Sequence, residues 1–595
     1  MRRMKMRKTK IICTIGPTSD QEDVIRDLIR AGMNVARFNF SHDVHENHKI
    51  KMERVRRIAK EEGKIVAILL DTKGPEIRTH DFKDAPVLLH EGKLIDIHSR
   101  EEVLGDETRF SQTYEKLAED VSVGSTILID DGLLELEVMV INEDTGVITC
   151  KIMNTGTISD HKGINLPGIK TQLPALTEKD MDDLKFGVEM DVDIVAASFI
   201  RKSEDVLAIR KALRNLGADD IFVMSKIENQ EGVDNVEEII KYSDGVMVAR
   251  GDMGVEIPLE QVPGIQKKII EICNLMGKPV VTATQMLESM VRYPRPTRAE
   301  VSDVANAIFD GSDCIMLSGE TANGKYPVEA VETMDLIAKD AENRIKHDHV
   351  IAKMMASHGS SVPIAISLAS VTTAYELGAS AIISATVSGS TARNVSRFRP
   401  ECPILAITPS ESVARKLSVY WGVYPIVAEL FESTDEMIDN TAAIAKERGF
   451  VNDGELVVIT AGLPINFVGS TNMIKVHLIG EVLVQGKRTH VTNQIVSGVV
   501  NKADSADDAE NEIQSGDILV VHALTDKYMD VIHRVSGVIV ETNQVTPDIS
   551  VEALKHDIPI IAEAVNAMSV LKEGTLVTID GKRSLVINGR TVLKS

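Results

Sequence analysis

Short apolar runs separated by amphipathic stretches set the rhythm of the chain as far as about residue 340. The runs predict strands at Ile11–Thr14, Val35–Phe38, Ala67–Asp71, Ile194–Ser198, Phe222–Lys226, Gly245–Arg250, Val280–Thr284 and Cys314–Ser318. Most precede a helical pattern with its own start signal. Ser19 with Glu22 fits a capping box, and Thr177 with Asp180 is a variant with Asp in the Glu position. Eight strand–helix units are what a closed (β/α)8 barrel needs. The same alternation also fits an open doubly wound sheet.

Between the third and fourth runs the pattern changes to short strand-like pieces with turn signals, such as TILIDDGLLELEVMV and GVITCKI. Residues 74–170 therefore read as a small β-rich domain inserted in a barrel loop. It belongs on the face where barrel active sites lie, as a lid over the site. The barrel is assigned to 1–73 and 171–344. The βα rhythm resumes over 345–480 (AIISATV, ILAIT, VYPIVA, ELVVIT), predicting a separate α/β domain, and 481–595 turns β-rich again. The fold class is α/β: a TIM barrel with an inserted all-β lid, an α/β domain and a β-rich terminal domain.

Composition narrows the functional classes. The 595 residues are too many for one core. No apolar run approaches the roughly 18 residues of a membrane span. Met1–Lys10 is basic but has no hydrophobic stretch of the kind that marks a secretory leader. Five cysteines, odd in number and scattered, read as free thiols of a reducing cytoplasm. A net charge of −23 disfavours nucleic acid and anionic membrane as partners. Any anionic ligand would have to be drawn locally, by metal cations and a few placed Arg and Lys.

The polar residues that could do this cluster just after the strands. They include Arg37, Asn39, Ser41 and His42 after the second, and Asp71-Thr72-Lys73-Gly74-Pro75-Glu76-Ile77-Arg78 after the third. The fifth and sixth give Lys226, Glu228, Arg250, Gly251 and Asp252, and the seventh and eighth Thr284 and Glu320. In a barrel all converge on one face. Glu228 and Asp252 can give Mg²⁺ two hard oxygen ligands; alone, each also fits a solvated loop carboxylate. Lys226 shares the side-chain direction of Glu228 and suits a developing enolate or a transferring phosphoryl, or else a structural salt bridge. Asn39, Ser41 and Asp71 with the Thr72 carbonyl fit a monovalent cation, although Asn39 and Ser41 equally fit turn chemistry. Arg37 and Arg78 offer fork-shaped donors to phosphate, or are surface arginines.

RFNFSH, DTKGPEIR, SFIR, KIEN, ARGD, TATQMLESM, PRPTRAEVSDVANA and DGSDCIMLSGETANGKYP together resemble the motif set of the pyruvate kinase family, in family order, over about residues 8–480. The resemblance implies phosphoryl transfer from phosphoenolpyruvate to ADP, giving pyruvate and ATP, the last step of glycolysis. It implies Mg²⁺ (or Mn²⁺) on Glu228 and Asp252, and K⁺ on Asn39, Ser41, Asp71 and Thr72. Glu76 stands where the family's K⁺-dependent members carry a carboxylate. By the same resemblance Gly251, Asp252 and Thr284 cradle the substrate carboxylate, Arg37 and Lys226 act on the phosphoryl, and Lys226 stabilises the enolate, which is protonated near Thr284. Asn39, Phe40, Ser41, His42, Arg78 and Lys162 match the nucleotide contacts, with His42 and Lys162 equally open to structural roles.

Thr386, Ser388, Gly389, Ser390 and Thr391 resemble the family's effector loop, which favours phosphate through amides and hydroxyls but also fits an ordinary helix start. Val387 stands where some members carry Lys, so a monophosphate such as a phosphosugar or AMP is expected. Residues 481–595 resemble the phosphohistidine domain of phosphoenolpyruvate-utilising enzymes. Thr546-Pro547-Asp548 fall on that family's TSH triplet, which puts Asp548 in place of the carrier histidine. A cytoplasmic homotetramer is expected by family analogy. Two rival readings are a metal-dependent pyruvate aldolase or lyase and a catalytically inactive phosphosugar sensor.

Overall fold

In the computed structural model the eight apolar runs close into one parallel barrel. The strands are β1 (Lys10–Thr14), β2 (Val35–Asn39), β3 (Ala67–Asp71), β4 (Ile194–Ala197), β5 (Phe222–Ile227), β6 (Gly245–Ala249), β7 (Val280–Ala283) and β8 (Cys314–Leu317). Each pairs with its sequence neighbour and β1 pairs with β8, so the open-sheet alternative is excluded. The strands are almost wholly buried because both faces are covered, by the barrel interior and by the helices outside, and their polar residues gather mainly towards the strand ends.

The structure describes residues 6–357, 361–464 and 469–589, so the first half of the basic start at Met1–Lys10 lies outside the described residues. The chain divides into two compact units, Met1–Leu368 with Thr386–Glu429, and Ala369–Ala385 with Leu430–Ser595. The segment read as an α/β domain is shared between them. Ile404–Thr408 and Val423–Val427 pair in parallel within the first unit. Within the second, Ala381–Ala385 pairs with Leu456–Gly462, which pairs antiparallel with Thr471–Leu478.

One helix start differs from expectation. Ser19 is buried and its hydroxyl accepts from the Gly16 amide, so no capping box forms with Glu22; the helix Glu22–Ala31 begins after Gln21 without a side-chain cap. Thr177 and Asp180, by contrast, make both reciprocal bonds of the box before Glu178–Glu189. The Asp180 carboxylate also takes the amide of Gly74 at 2.9 Å, across 106 residues. Gly74 sits at φ +74, and a Cβ there would lie 2.8 Å from the Ser198 side chain, so only glycine fits.

Between Gly74 and Asp180 lies a seven-stranded sheet with its own apolar core. Its edge strand Ile77–Arg78 pairs with Gly163–Asn165. The terminal part of the second unit is an eight-stranded sheet, with parallel strands Ile495–Lys502, Ile518–Val521, Gly537–Val540 and Ile560–Ala562 at its heart. Separate apolar clusters lie on its two faces.

Candidate active site

The site is built at the carboxyl ends of the barrel strands, where the chain leaves the closed hydrogen-bond ladder and side chains can face an opening. Alternation along β2 points Arg37 and Asn39 the same way, and Asn39 is level with Asp71 on β3. Asp71 is 1% exposed and carries the centre of the network. Its Oδ2 accepts from Arg37 Nε at 2.7 Å, and its Oδ1 lies 3.1 Å from Lys226 Nζ. Arg37 also donates to the Thr14 hydroxyl at 2.8 Å, which fixes the guanidinium plane.

Lys226 leaves β5 and Glu228 follows two residues later, so both side chains face the same opening. The Lys226 ammonium donates to Ser198 Oγ at 2.9 Å, and Ser198 Oγ donates to the Thr72 carbonyl at 2.6 Å. Burial works against the charge on Lys226, but Asp71, Glu228 and Asp252 outweigh it and hold its pKa above the ordinary lysine value. Glu228 is 1% exposed; burial pushes its carboxyl up despite Lys226, and Asp252 adds to the rise. The Glu228 Oε2 accepts the amide of Phe199 at 2.5 Å. Its Oε1 faces the Lys226 ammonium at 2.9 Å, an ion pair that is the one polar contact of this buried oxygen among the described residues.

That oxygen tests the metal expectation. A carboxylate oxygen has more than one lone pair, and one ammonium leaves Oε1 able to join Asp252 on a divalent cation. The local charges agree: with Glu228 ionised, Asp71, Glu228 and Asp252 bring three negative charges against two positive on Arg37 and Lys226, an excess that a cation would balance. For a monovalent ion the donor set also fits, since Asn39, Ser41 and the Thr72 carbonyl add oxygens without adding charge. In this structure the Asn39 Oδ1 accepts the Ser41 amide at 3.1 Å, so turn geometry and ligand geometry use the same residue.

On the opposite side Thr284 follows β7 at φ +67, an uncommon conformation for a β-branched residue. Its Oγ1 accepts the Gly251 amide at 2.8 Å and donates to the Ala283 carbonyl at 2.6 Å. Arg250 holds this strained turn: it donates to the carbonyls of Ala283 (3.1 Å) and Thr284 (2.7 Å) and pairs with Asp303 at 2.8 Å. Asp252 lies in the first turn of the helix Arg250–Glu256, which begins at the last residue of the expected strand Gly245–Arg250. Glu320, fully buried, accepts the amides of Leu287 and Ser318 and ties the last two strand ends together.

The residues expected at a nucleotide are arranged unevenly. Phe40 is 1% exposed, its ring stacked on His48 at 4.2 Å, its amide donated to the Asp71 carbonyl and its own carbonyl accepting from Lys179. Its part is packing, which places Asn39 and Ser41. His42 is exposed beyond them. Arg78 and Lys162 meet in the inserted sheet, where Arg78 pairs with Glu76 at 2.6 Å and donates to the His161 carbonyl, while Lys162 pairs with Asp130 at 3.0 Å. Asn165 of the same sheet donates to Glu256 at 2.9 Å, a contact from the insertion to the helix that bears Asp252.

Sequence reasoning missed Ser198 and the Phe199 amide as parts of the site, and it placed Arg250 there without giving it a role. Phe199 stands at φ +54, and that backbone turn aims its N–H at Glu228. Apart from the site, Gly389 at φ +80 precedes the short helix Ser390–Ser396. Ser388 Oγ donates to Ser390 Oγ at 3.2 Å, whereas Thr386 and Thr391 are buried. Asp548 is exposed in the first turn of the helix Pro547–Lys555. No described helix is long and apolar enough to cross a membrane.

Comparison with known proteins agrees with this geometry. The family model for the pyruvate kinase barrel domain matches residues 6–331, and that for the pyruvate kinase alpha/beta domain matches 364–477. A third, the mobile domain of PEP-utilising enzymes, matches 513–584. Proteins named pyruvate kinase from Staphylococcus epidermidis, Staphylococcus haemolyticus and Staphylococcus aureus are each 48% identical over 584 residues, 98% of this chain and 99% of theirs. With that identity sustained from end to end, and the family's barrel falling on the strands that carry the site, the chain belongs to the pyruvate kinase family.

Proposed function

We propose that this site transfers the phosphoryl group of phosphoenolpyruvate to ADP, giving pyruvate and ATP, with Lys226 as the residue on which the transfer turns. The buried Lys226 ammonium, held charged between Asp71, Glu228 and Asp252 at the carboxyl ends of the barrel strands, carries this reading. A cation bound there would supply Lewis-acid polarisation of the substrate oxygens. Arg37 and Lys226 are placed to neutralise the phosphoryl as it leaves the enol oxygen, and Lys226 to stabilise the enolate that remains. Gly251, Asp252 and Thr284 would orient the substrate carboxylate. The Thr284 hydroxyl, held by Ala283, would position the water that protonates the enolate carbon.

Glu228 and Asp252 would hold Mg²⁺ or Mn²⁺, and Asn39, Ser41, Asp71 and Thr72 would hold K⁺, with Glu76 favouring K⁺ dependence. Asn39, Ser41, His42, Arg78 and Lys162 would meet ADP, the last two from a lid formed by 74–170. In the remaining domains, 345–480 would carry the effector loop Thr386–Thr391 for a phosphosugar or AMP, and 481–595 would serve assembly in a cytoplasmic tetramer. The test is pyruvate formation from phosphoenolpyruvate with and without ADP, Mg²⁺ and K⁺, repeated on Lys226→Met. Turnover without ADP would sink the kinase reading in favour of a lyase; none under any condition would favour a sensor.

A further inference from the structure

We infer that the terminal unit carries a transition-metal site formed by His533, Glu552 and His556, a site for Zn²⁺ or a similar ion rather than for Mg²⁺. These are the one described group of three His, Cys, Asp or Glu side chains whose ligand atoms all lie within 4.8 Å of one another. Two short structural facts bring them together. His533 is the residue that ends the helix Met529–Ile532, and His556 is the residue that ends the helix Pro547–Lys555. Glu552 lies four positions before His556, on the same helix face.

The distances have the proportions of a coordination shell. His533 Nε2 and His556 Nε2 lie 3.6 Å and 3.4 Å from the same Glu552 oxygen, Oε1. A tetrahedral ion with ligands at about 2.0–2.1 Å has ligand-to-ligand edges of about 3.3–3.4 Å. The two edges are therefore at, or slightly beyond, the length such an ion requires. Lys555 holds the other Glu552 oxygen, Oε2, at 2.9 Å, which fixes the carboxylate with Oε1 towards the two rings. The imidazoles cross edge to face, 4.6 Å apart, and so converge without stacking shut the space between them.

Ligand chemistry decides the class of ion. Two imidazole nitrogens and one carboxylate suit Zn²⁺, Cu²⁺, Ni²⁺ or Co²⁺, whereas Mg²⁺ and K⁺ prefer all-oxygen shells. The histidines are half exposed, so an ion can enter from solvent and keep water in its fourth position. Bound there, it would tie the ends of two helices that pack on the same sheet face and raise the stability of the terminal unit. Its ligands Glu552 and His556 lie about one and two turns along the helix from Asp548, which stands in place of the related domain's carrier histidine.

Calorimetric titration of chelator-treated full-length protein with Zn²⁺ tests this, in millimolar Mg²⁺ and K⁺ so that the barrel site is already filled. The wild type should bind one more Zn²⁺ per chain than His533→Asn/His556→Asn, and His556→Asn alone should weaken that ion by about 10-fold or more. Thermal midpoint without zinc and turnover of phosphoenolpyruvate should be the same in all three. Equal stoichiometry and affinity in wild type and double variant would overturn the proposal. Should the variants not fold, Co²⁺ added to the wild type decides it: an intense tetrahedral ligand-field spectrum supports the site, and the weak spectrum of hydrated Co²⁺ refutes it.

Discussion

The ammonium of Lys226 lies 3.1 Å from Oδ1 of Asp71, whose other oxygen is held by Arg37 at 2.7 Å. One buried carboxylate thus anchors both cations proposed to act on the phosphoryl. Asp71→Asn keeps the shape but leaves those two charges facing an amide. Removing one partner of a buried ion pair costs about 3–5 kcal/mol, which denaturant unfolding should register. The K⁺ concentration for half-maximal activity should rise as well; an unchanged K⁺ requirement would remove Asp71 from the cation's ligands.

Arg250 touches no expected substrate atom, yet it braces Thr284 at positive φ. Arg250→Lys cannot reach the Ala283 and Thr284 carbonyls and Asp303 together. Loosened positioning of a substrate should lower kcat/KM for phosphoenolpyruvate by about 10–100-fold, with KM for ADP little changed. Equal losses for both substrates would point to general unfolding of the site instead.

Because burial raises the Glu228 carboxyl, protons should compete with the Mg²⁺ proposed to bind it. The Mg²⁺ concentration for half-maximal activity should fall as pH rises from about 6 to about 8. A flat requirement over that range would show that Glu228 is ionised before the metal arrives.

Much of this was legible in the chain. Eight apolar runs, an interruption and the polar residues at strand ends gave the barrel, the insertion and the acidic and basic members of the site. Ser198, the Phe199 amide and the bracing role of Arg250 were not legible because they act across strands: a hydroxyl relays Lys226 to a neighbouring carbonyl, a backbone amide satisfies Glu228, and a guanidinium caps two carbonyls of the next turn. Such roles depend on register and on backbone angles, which residue spacing does not encode. Ser19 failed as a cap for a related reason: its hydroxyl found a closer partner at Gly16.

Lys10 gives a stability test far from the catalytic end. Burial, with Arg7 adding to it, lowers its pKa to about 7. Between that value and the unfolded lysine value near 10, the unfolded chain binds the extra proton and the folded chain does not. Stability should therefore rise with pH across this window, and below about 7 the penalty is constant. Lys10→Met should stabilise the protein at neutral pH and flatten the slope; an unaltered slope would assign it to other groups.

Asp548 cannot form a phosphohistidine. Incubation with labelled phosphoenolpyruvate should leave the terminal unit without an acid-labile, base-stable phosphoryl group. Label that survives alkali and maps to 481–595 would restore a carrier role, through another histidine.

The bond from the Gly74 amide to Asp180 brings the two ends of the inserted sheet to one point on the barrel rim. The conformational cost of closing so long a loop is thereby borne by the barrel, which is folded in any case. The insertion is therefore rooted in the barrel at this bond, and the Asn165–Glu256 bond is a second tie, to the helix that bears Asp252. The packing around Gly74 leaves no room for a side chain, so the root of the insertion and the strand end that holds Ser198 share one small residue. A replacement at Gly74 would disturb both at once.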